Sequence, residues 1–333
     1  MKKKQTENPK SDIQRSLFEM VQNEVRSNYT FAETISEVLG ISVDSAYRRI
    51  RGEITLDINE IEMLCKKFSL SFDALLYGIN KMQYSFIPPD FKDIMSYEAY
   101  ANELASITEK IISASGSELI ISAADIPAFH YVAFRELALF QLFSWHKNVF
   151  DFSGTYEDFH NEINTVTILQ SGEKTFNNYL KIPSIEIWTD HTTDSMLKMI
   201  KYHCEMEHFI NKTTPLLLCK QLIDMVNTLH EWMKEGKKGK GKTPFKFYLN
   251  EVDIGNTFIY VKSDKKSRCI IRLFTINGLS ISDNRFCREA SSWLDSLIKR
   301  STLISEVSTK ERSLFITRQK QKITALMDFI KAL

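Results

Sequence analysis

Three stretches of the chain carry residue types whose spacing could do chemistry. The first runs from Ser42 to Arg51. If it is helical, Asp44, Tyr47, Arg48 and Arg51 fall on one stripe at i, i+3, i+4 and i+7, with Ala46 and Ile50 on the other. An outward stripe with two arginines suits a DNA major groove: Arg can fork onto guanine O6 and N7, and Asp44 can accept from cytosine N4. Ser42 and Ser45 would reach phosphate or base edges from the helix N-terminus. The plainer reading is a solvated face in which Asp44 and Arg48 form an i,i+4 ion pair. Arg49 shares this turn, and the sequence alone leaves open which of Arg48 and Arg49 faces outward.

The second stretch, Gly236-Lys237-Lys238-Gly239-Lys240-Gly241-Lys242-Thr243, has the formal spacing of a phosphate-binding P-loop. That loop needs a strand before it and a helix after it, so that amides and helix N-terminus converge on phosphate. Here an amphipathic helical pattern precedes the glycines and a strand pattern follows. A flexible cationic linker is the expectation. In the third stretch, His203 to His208, Glu205 and His208 have the i,i+3 spacing of helical carboxylate metal sites. No second such motif accompanies them, and a polar surface stripe is expected. Asp125, His130, Asp190, His191 and Asp194 match no nucleophile, base and orienting set. Neither catalysis, nor a cofactor, nor a metal is expected from the sequence.

The elements around the first stretch are short helices with legible starts. Ile13, Leu17, Val21 and Val25 make one apolar stripe, and Phe31, Ile35, Val38 and Leu39 a second, opened by Thr30 with Glu33 three residues on. Gly40-Ile41-Ser42 then allows two helices to cross steeply: Gly40 ends the first in a left-handed conformation and Ser42 caps the next. Asp57 with Glu60 opens a fourth helix, and Ser71 a fifth. The pattern divides the chain into a basic arm at 1–11, a five-helix unit at 12–80, a linker at 81–92 containing Pro88 and Pro89, and a larger unit at 93–333.

The larger unit mixes helical patterns (97–114, 127–150, 192–211, 214–235, 283–300 and 309–331) with short β-branched runs. The runs Phe245–Val252, Thr257–Val261 and Cys269–Ile276 read as a small antiparallel meander. The expected fold class is α+β and helix-dominated. Eleven Gly and seven Pro in 333 residues fit that class better than a turn-rich β-sandwich. The net charge of +1 means that nucleic-acid affinity must come from a local patch, and residues 1–80 carry eleven Lys/Arg against twelve Asp/Glu. Five scattered cysteines, no apolar leader and no uninterrupted span point to a cytoplasmic protein away from membranes.

Residues 12–77 resemble the phage-repressor (Cro-like, lambda-repressor-like) helix-turn-helix family. Gly40 matches its turn glycine, Ile41-Ser42 its turn dipeptide, Gly52 the glycine ending the recognition helix, and Asp57 to Leu76 its fourth and fifth helices. Ser36 stands where members usually carry Ala, and Arg49 where the residue is often apolar. The resemblance implies a sequence-specific transcriptional regulator whose contacts to double-stranded DNA are Ser42, Val43, Asp44, Ser45, Tyr47, Arg48 and Arg51. It further implies a homodimer on a pseudo-palindromic operator. Residues 93–333 would then dimerise and sense a small-molecule or protein effector. Two alternatives stay open: a bifunctional chain whose larger unit is an enzyme, and a helix-turn-helix used as a protein-interaction module.

Overall fold

Thr30 starts a helix for a local reason: its hydroxyl accepts from the Glu33 amide at 3.4 Å, while the Glu33 carboxylate accepts from the Thr30 amide at 2.7 Å. The computed structural model describes residues 10–25, 30–68, 70, 72, 84–87, 96–150, 152–264, 267–273 and 277–333. The chain divides into two units, Met1–Met82 and Gln83–Leu333. The first holds α1 (Lys10–Glu24), α2 (Phe31–Leu39), α3 (Val43–Ile50) and α4 (Ile58–Lys67). Gly40, at φ 63°, ends α2 by donating its amide to the Ser36 carbonyl. Ser42 caps α3 through the Ser45 amide, and Asp57 with Glu60 closes a reciprocal cap on α4. Leu17, Phe18, Val21, Ile35, Leu39, Ala46, Leu56, Leu64 and Leu70 form the core. The helix expected at Ser71 and most of the basic arm lie outside the described residues, and α1 begins at Lys10.

The second unit is built on one mixed sheet. Its elements run β1 (Tyr84–Ile87), α5 (Ser96–Ser113), β2 (Glu118–Ala123), α6 (Ala128–Tyr131), α7 (Arg135–Val149), α8 (Tyr156–Glu162), α9 (Thr165–Tyr179) and β3 (Ser184–Trp188). There follow α10 (Asp194–Glu205), α11 (Thr213–Glu235), β4 (Lys237–Lys238), β5 (Thr243–Leu249), β6 (Phe258–Lys262), β7 (Arg268–Leu273), β8 (Asn277–Ile281), α12 (Asn284–Arg300), β9 (Thr302–Leu303) and α13 (Thr309–Ala332). The strand order is β1-β8-β7-β6-β2-β3-β5-β4, with β9 on β5. β2, β3 and β5 are parallel, and the other pairings are antiparallel.

Period-two alternation splits the strands between two cores. Leu119, Ile121, Trp188, Phe245 and Phe247 face the large core with α7, α9, α11 and α13. Ile120, Ile187, Tyr260 and Cys269 face the smaller core, where α12 brings Cys287, Ala290 and Leu294. The fold is α+β and helix-dominated. Among the described residues, no helix is long and apolar enough to cross a membrane.

Four local readings change. Residues 84–87, inside the expected linker, pair with β8 as an edge strand. Phe245–Val252 is not in the meander: β5 pairs in parallel with β3, and the meander is β6, β7 and β8. A run of mainly apolar residues does not tell a strand inside a parallel sheet from an antiparallel one. The 127–150 helix is broken between α6 and α7. The cationic stretch 236–243 is a hairpin of β4 and β5, with Gly236 and Gly239 in left-handed conformations and the Lys238 side chain buried.

The polar surface stripe expected at 203–208 also changes, because His203 is 0% exposed. Its Nδ1 lies 2.8 Å from Nδ1 of His208, and its Nε2 lies 3.0 Å from the Ser144 hydroxyl. Burial, reinforced by His208 and Lys147, pushes the His203 imidazole down to about 3. A depressed imidazole resists protonation in the fold while the unfolded chain takes up its proton near the ordinary value. Stability is therefore complete above about pH 6.5 and falls as the pH drops towards 3, by about 1.4 kcal/mol per pH unit from this group. In denaturant titrations between pH 7.5 and 4.5, His203→Gln should flatten that slope. An unchanged slope would assign the acid sensitivity to other groups.

Candidate nucleic-acid interface

The side chain that fixes the rotation of α3 is Ala46, fully buried in the core to which α1, α2 and α4 contribute. With Ala46 inward, Val43, Asp44, Tyr47, Arg48 and Arg51 are exposed, and Ser45 is half-buried on the flank. Val43 and Tyr47 are 40% and 44% exposed, high for side chains of their size. Ser42 is exposed at the helix N-terminus and is spent on the cap, with its oxygen 3.2 Å from the Ser45 amide. All seven residues expected at the interface thus lie on or beside one end and one face of α3.

Arg48 and Arg49 part company. The Arg49 guanidinium turns inward to Glu60 on α4, at 2.7 Å and 2.9 Å, with the two side chains only 16% and 13% exposed. That pair fastens α3 to α4. Arg48 and Arg51 remain 51% and 57% exposed and converge on Glu53, at 3.6 Å and 2.9 Å. Among the described residues Arg48 forms no ion pair with Asp44, so the i,i+4 pairing gives way to a contact across the end of the helix. Exposed pairs of this kind contribute little to stability, and they can open when a stronger anion arrives.

Sequence reasoning missed Gln14 on α1. Its amide nitrogen donates to the carbonyls of Arg49 at 2.7 Å and Ile54 at 2.9 Å, and its oxygen accepts from the Leu56 amide at 2.9 Å. One side chain thus satisfies three backbone groups where the chain leaves α3, a region that Gly52 turns at φ 77°. A polar residue one position past Ile13 within an apolar stripe was the only signal. Ser36 also finds a purpose: its hydroxyl donates to the Ile41 carbonyl at 2.6 Å, bracing the turn between α2 and α3.

The second unit gathers titratable groups elsewhere. Glu186 on β3 is fully buried and accepts from His130 Nε2 at 2.9 Å, from Trp188 Nε1 at 2.8 Å and from the Tyr179 hydroxyl. Burial opposes its charge, but His130, Lys238 and the Tyr179 hydrogen bond outweigh that, and the carboxyl is held below the usual range. Lys238 donates to the Ser184 hydroxyl at 2.6 Å and lies 3.3 Å from the centre of the Tyr179 ring; burial drives its ammonium well below the usual range, with Glu186 opposing. Asp125 pairs with Arg272, Asp190 with Arg318, and Asp194 with His191 and Lys322. Among the described residues no three His, Cys, Asp or Glu side chains cluster as metal ligands.

Residues 17–124 match the family model of the BetR domain. The match covers about a third of the chain, from within α1 to just past β2. No curated protein and no solved structure matches the chain.

Gln14→Leu keeps the volume and removes the clamp, so it should lower the unfolding free energy of the first unit by about 1 to 3 kcal/mol in denaturant titration. Ala46→Asp would bury an unpaired charge and should cost more, about 3 kcal/mol or above. Equal stability of the Ala46→Asp variant and the parent would overturn the assigned rotation of α3.

Proposed function

We propose that the chain is a sequence-specific DNA-binding transcriptional regulator, with α3 as its recognition helix in the major groove of double-stranded DNA. The observation that carries this reading is the exposed face of α3: Arg48 and Arg51 point outward beside Asp44 and Tyr47, while Ala46 and the Arg49–Glu60 pair anchor the helix from behind. Two exposed arginines on a helix held by its neighbours suit base-edge readout. The N-terminal end of α3, with Ser42, Val43 and Ser45, would meet phosphate and sugar. The likeness of residues 12–77 to the lambda-repressor-like family and the BetR match over 17–124 support a regulatory DNA-binding domain at this end of the chain.

In this reading Glu53 masks both arginines in the free protein and releases them to the groove. A single recognition helix buries too little surface for high specificity, so the chain would act as a homodimer on a pseudo-palindromic operator, with the second unit supplying the dimer contact and the effector response. The chain works in the cytoplasm as a binding protein and not as an enzyme. A protein-interaction role for α3 is the second reading, favoured by the apolar surface of Val43 and Tyr47 and by the neutralising Glu53.

Selection of random-sequence DNA by the full chain at near-physiological salt tests the proposal. A two-fold-related motif should emerge, and Arg48→Ala and Arg51→Ala should each weaken binding to it by about 1 to 3 kcal/mol with the fold intact. Glu53→Gln should raise affinity for any duplex at low salt and steepen the salt dependence. Failure to enrich any motif, together with arginine variants that bind DNA as the parent does, would favour the protein-interaction reading.

A further inference from the structure

The second unit contains a cavity of about 110 Å³ between α5, the segment leading into α6, and strands β6 and β7. Its walls are mainly apolar, with Leu104, Ile107, Pro127, Phe129, Ile259 and Ile270 among them. Glu103, on the exposed side of α5, also lines it and marks where it meets solvent. The charged group in the inner wall is Arg272, and its charge is met within the wall: Nη1 lies 2.8 Å from Asp125, which accepts in turn from the Thr257 hydroxyl. A smaller hollow of about 40 Å³ shares the walls Tyr100, Leu104, Tyr131 and Thr175 and adds Gln141. Gln141 is 6% exposed, and its side-chain oxygen has no hydrogen-bond partner among the described residues.

Protein interiors pack as densely as organic crystals, and the apolar walls of this cavity lack the packing partners that such density supplies. A buried acceptor without a donor is equally unusual. We propose that the cavity, together with the hollow that shares its walls and holds Gln141, is a binding site for a small, uncharged, mainly apolar molecule that carries one hydroxyl-type donor. The apolar walls take the body of the ligand. The Arg272–Asp125 pair is internally neutral and Glu103 stands at the exposed mouth, so the inner walls offer no unpaired charge, and an ionic ligand would bring one against them. The ligand donor completes Gln141. The cavity is somewhat smaller than one that holds a benzene ring, so the ligand has a ring-sized body, about six to nine non-hydrogen atoms, with its polar end in the adjoining hollow. The site does not depend on α3 reading DNA, although it would serve as the effector site of a regulator.

The test titrates the full chain by calorimetry with four probes of one shape: 2-phenylethanol, ethylbenzene, phenylacetate and 2-phenylethylammonium. Saturable binding of 2-phenylethanol at one site, at least tenfold tighter than either charged probe, is the expected result. Leu104→Trp fills the shared wall and should weaken that binding more than tenfold while thermal unfolding stays cooperative; Ile107→Phe serves the same purpose if the tryptophan variant does not fold. Gln141→Leu should erase the advantage of 2-phenylethanol over ethylbenzene. Four results would overturn the proposal: neither neutral probe saturates, a charged probe binds as well as the alcohol, a folded filling variant binds like the parent, or ethylbenzene matches the alcohol on the parent chain. The last would mean that a water already satisfies Gln141.

Discussion

A carboxylate in the middle of a strand covered on both faces has to be held by hydrogen bonds, and Glu186 imposes that constraint on the second unit. β3 lies between β2 and β5 in the parallel part of the sheet, with helices on either side. Its even-numbered residues face the large core, so Glu186 cannot reach water without turning the strand over. His130 from α6, Tyr179 from the end of α9, Trp188 from β3 itself and Lys238 from β4 gather around it. The short helix α6, the end of α9 and the tight hairpin at 236–243 all deliver a polar group to that point. A buried polar cluster of this kind rigidifies when every member is satisfied and is costly when one is missing.

The first unit solves a smaller version of the same problem. Helix ends and the chain segments between them carry backbone groups that need partners, and the partners found there also fix the candidate interface. Gly40, Ser36 and Ser42 complete the turn before α3, and Gln14 completes the chain after it. Ala46 and the Arg49–Glu60 pair set the helix rotation between those two ends. The outward face is therefore defined from behind, and Arg48, Arg51 and Tyr47 can vary in role without loosening the scaffold.

Charge on that face is balanced locally. Glu53 sits between Arg48 and Arg51, so the free face is less positive than its arginines suggest, in keeping with a chain whose overall charge is close to neutral. Proteins of this balance depend on a few well-placed contacts more than on long-range attraction. The second unit shows the same habit: Arg272 with Asp125, Arg318 with Asp190, and Lys322 with Asp194 are all paired within the unit.

The caps and the amphipathic phases are legible in one dimension. Thr30 with Glu33, Asp57 with Glu60, Ser42 before α3 and Gly40 after α2 act through neighbours within a few residues, so local spacing is enough to read them. The long patterns near 97–114, 214–235, 283–300 and 309–331 likewise correspond to α5, α11, α12 and α13, because a 3.6-residue period needs no partner to be visible. Long-range packing sets which of Arg48 and Arg49 turns inward, since Glu60 is eleven residues further on, and what Gln14 does, since its partners lie 35 to 42 residues away. Strand pairing was equally hidden. β5 reads like any short apolar strand, and its parallel place beside β3 depends on helices that carry the chain back across the sheet. His203, Glu186 and Lys238 look like surface residues in one dimension, and they are buried because partners from distant elements satisfy them.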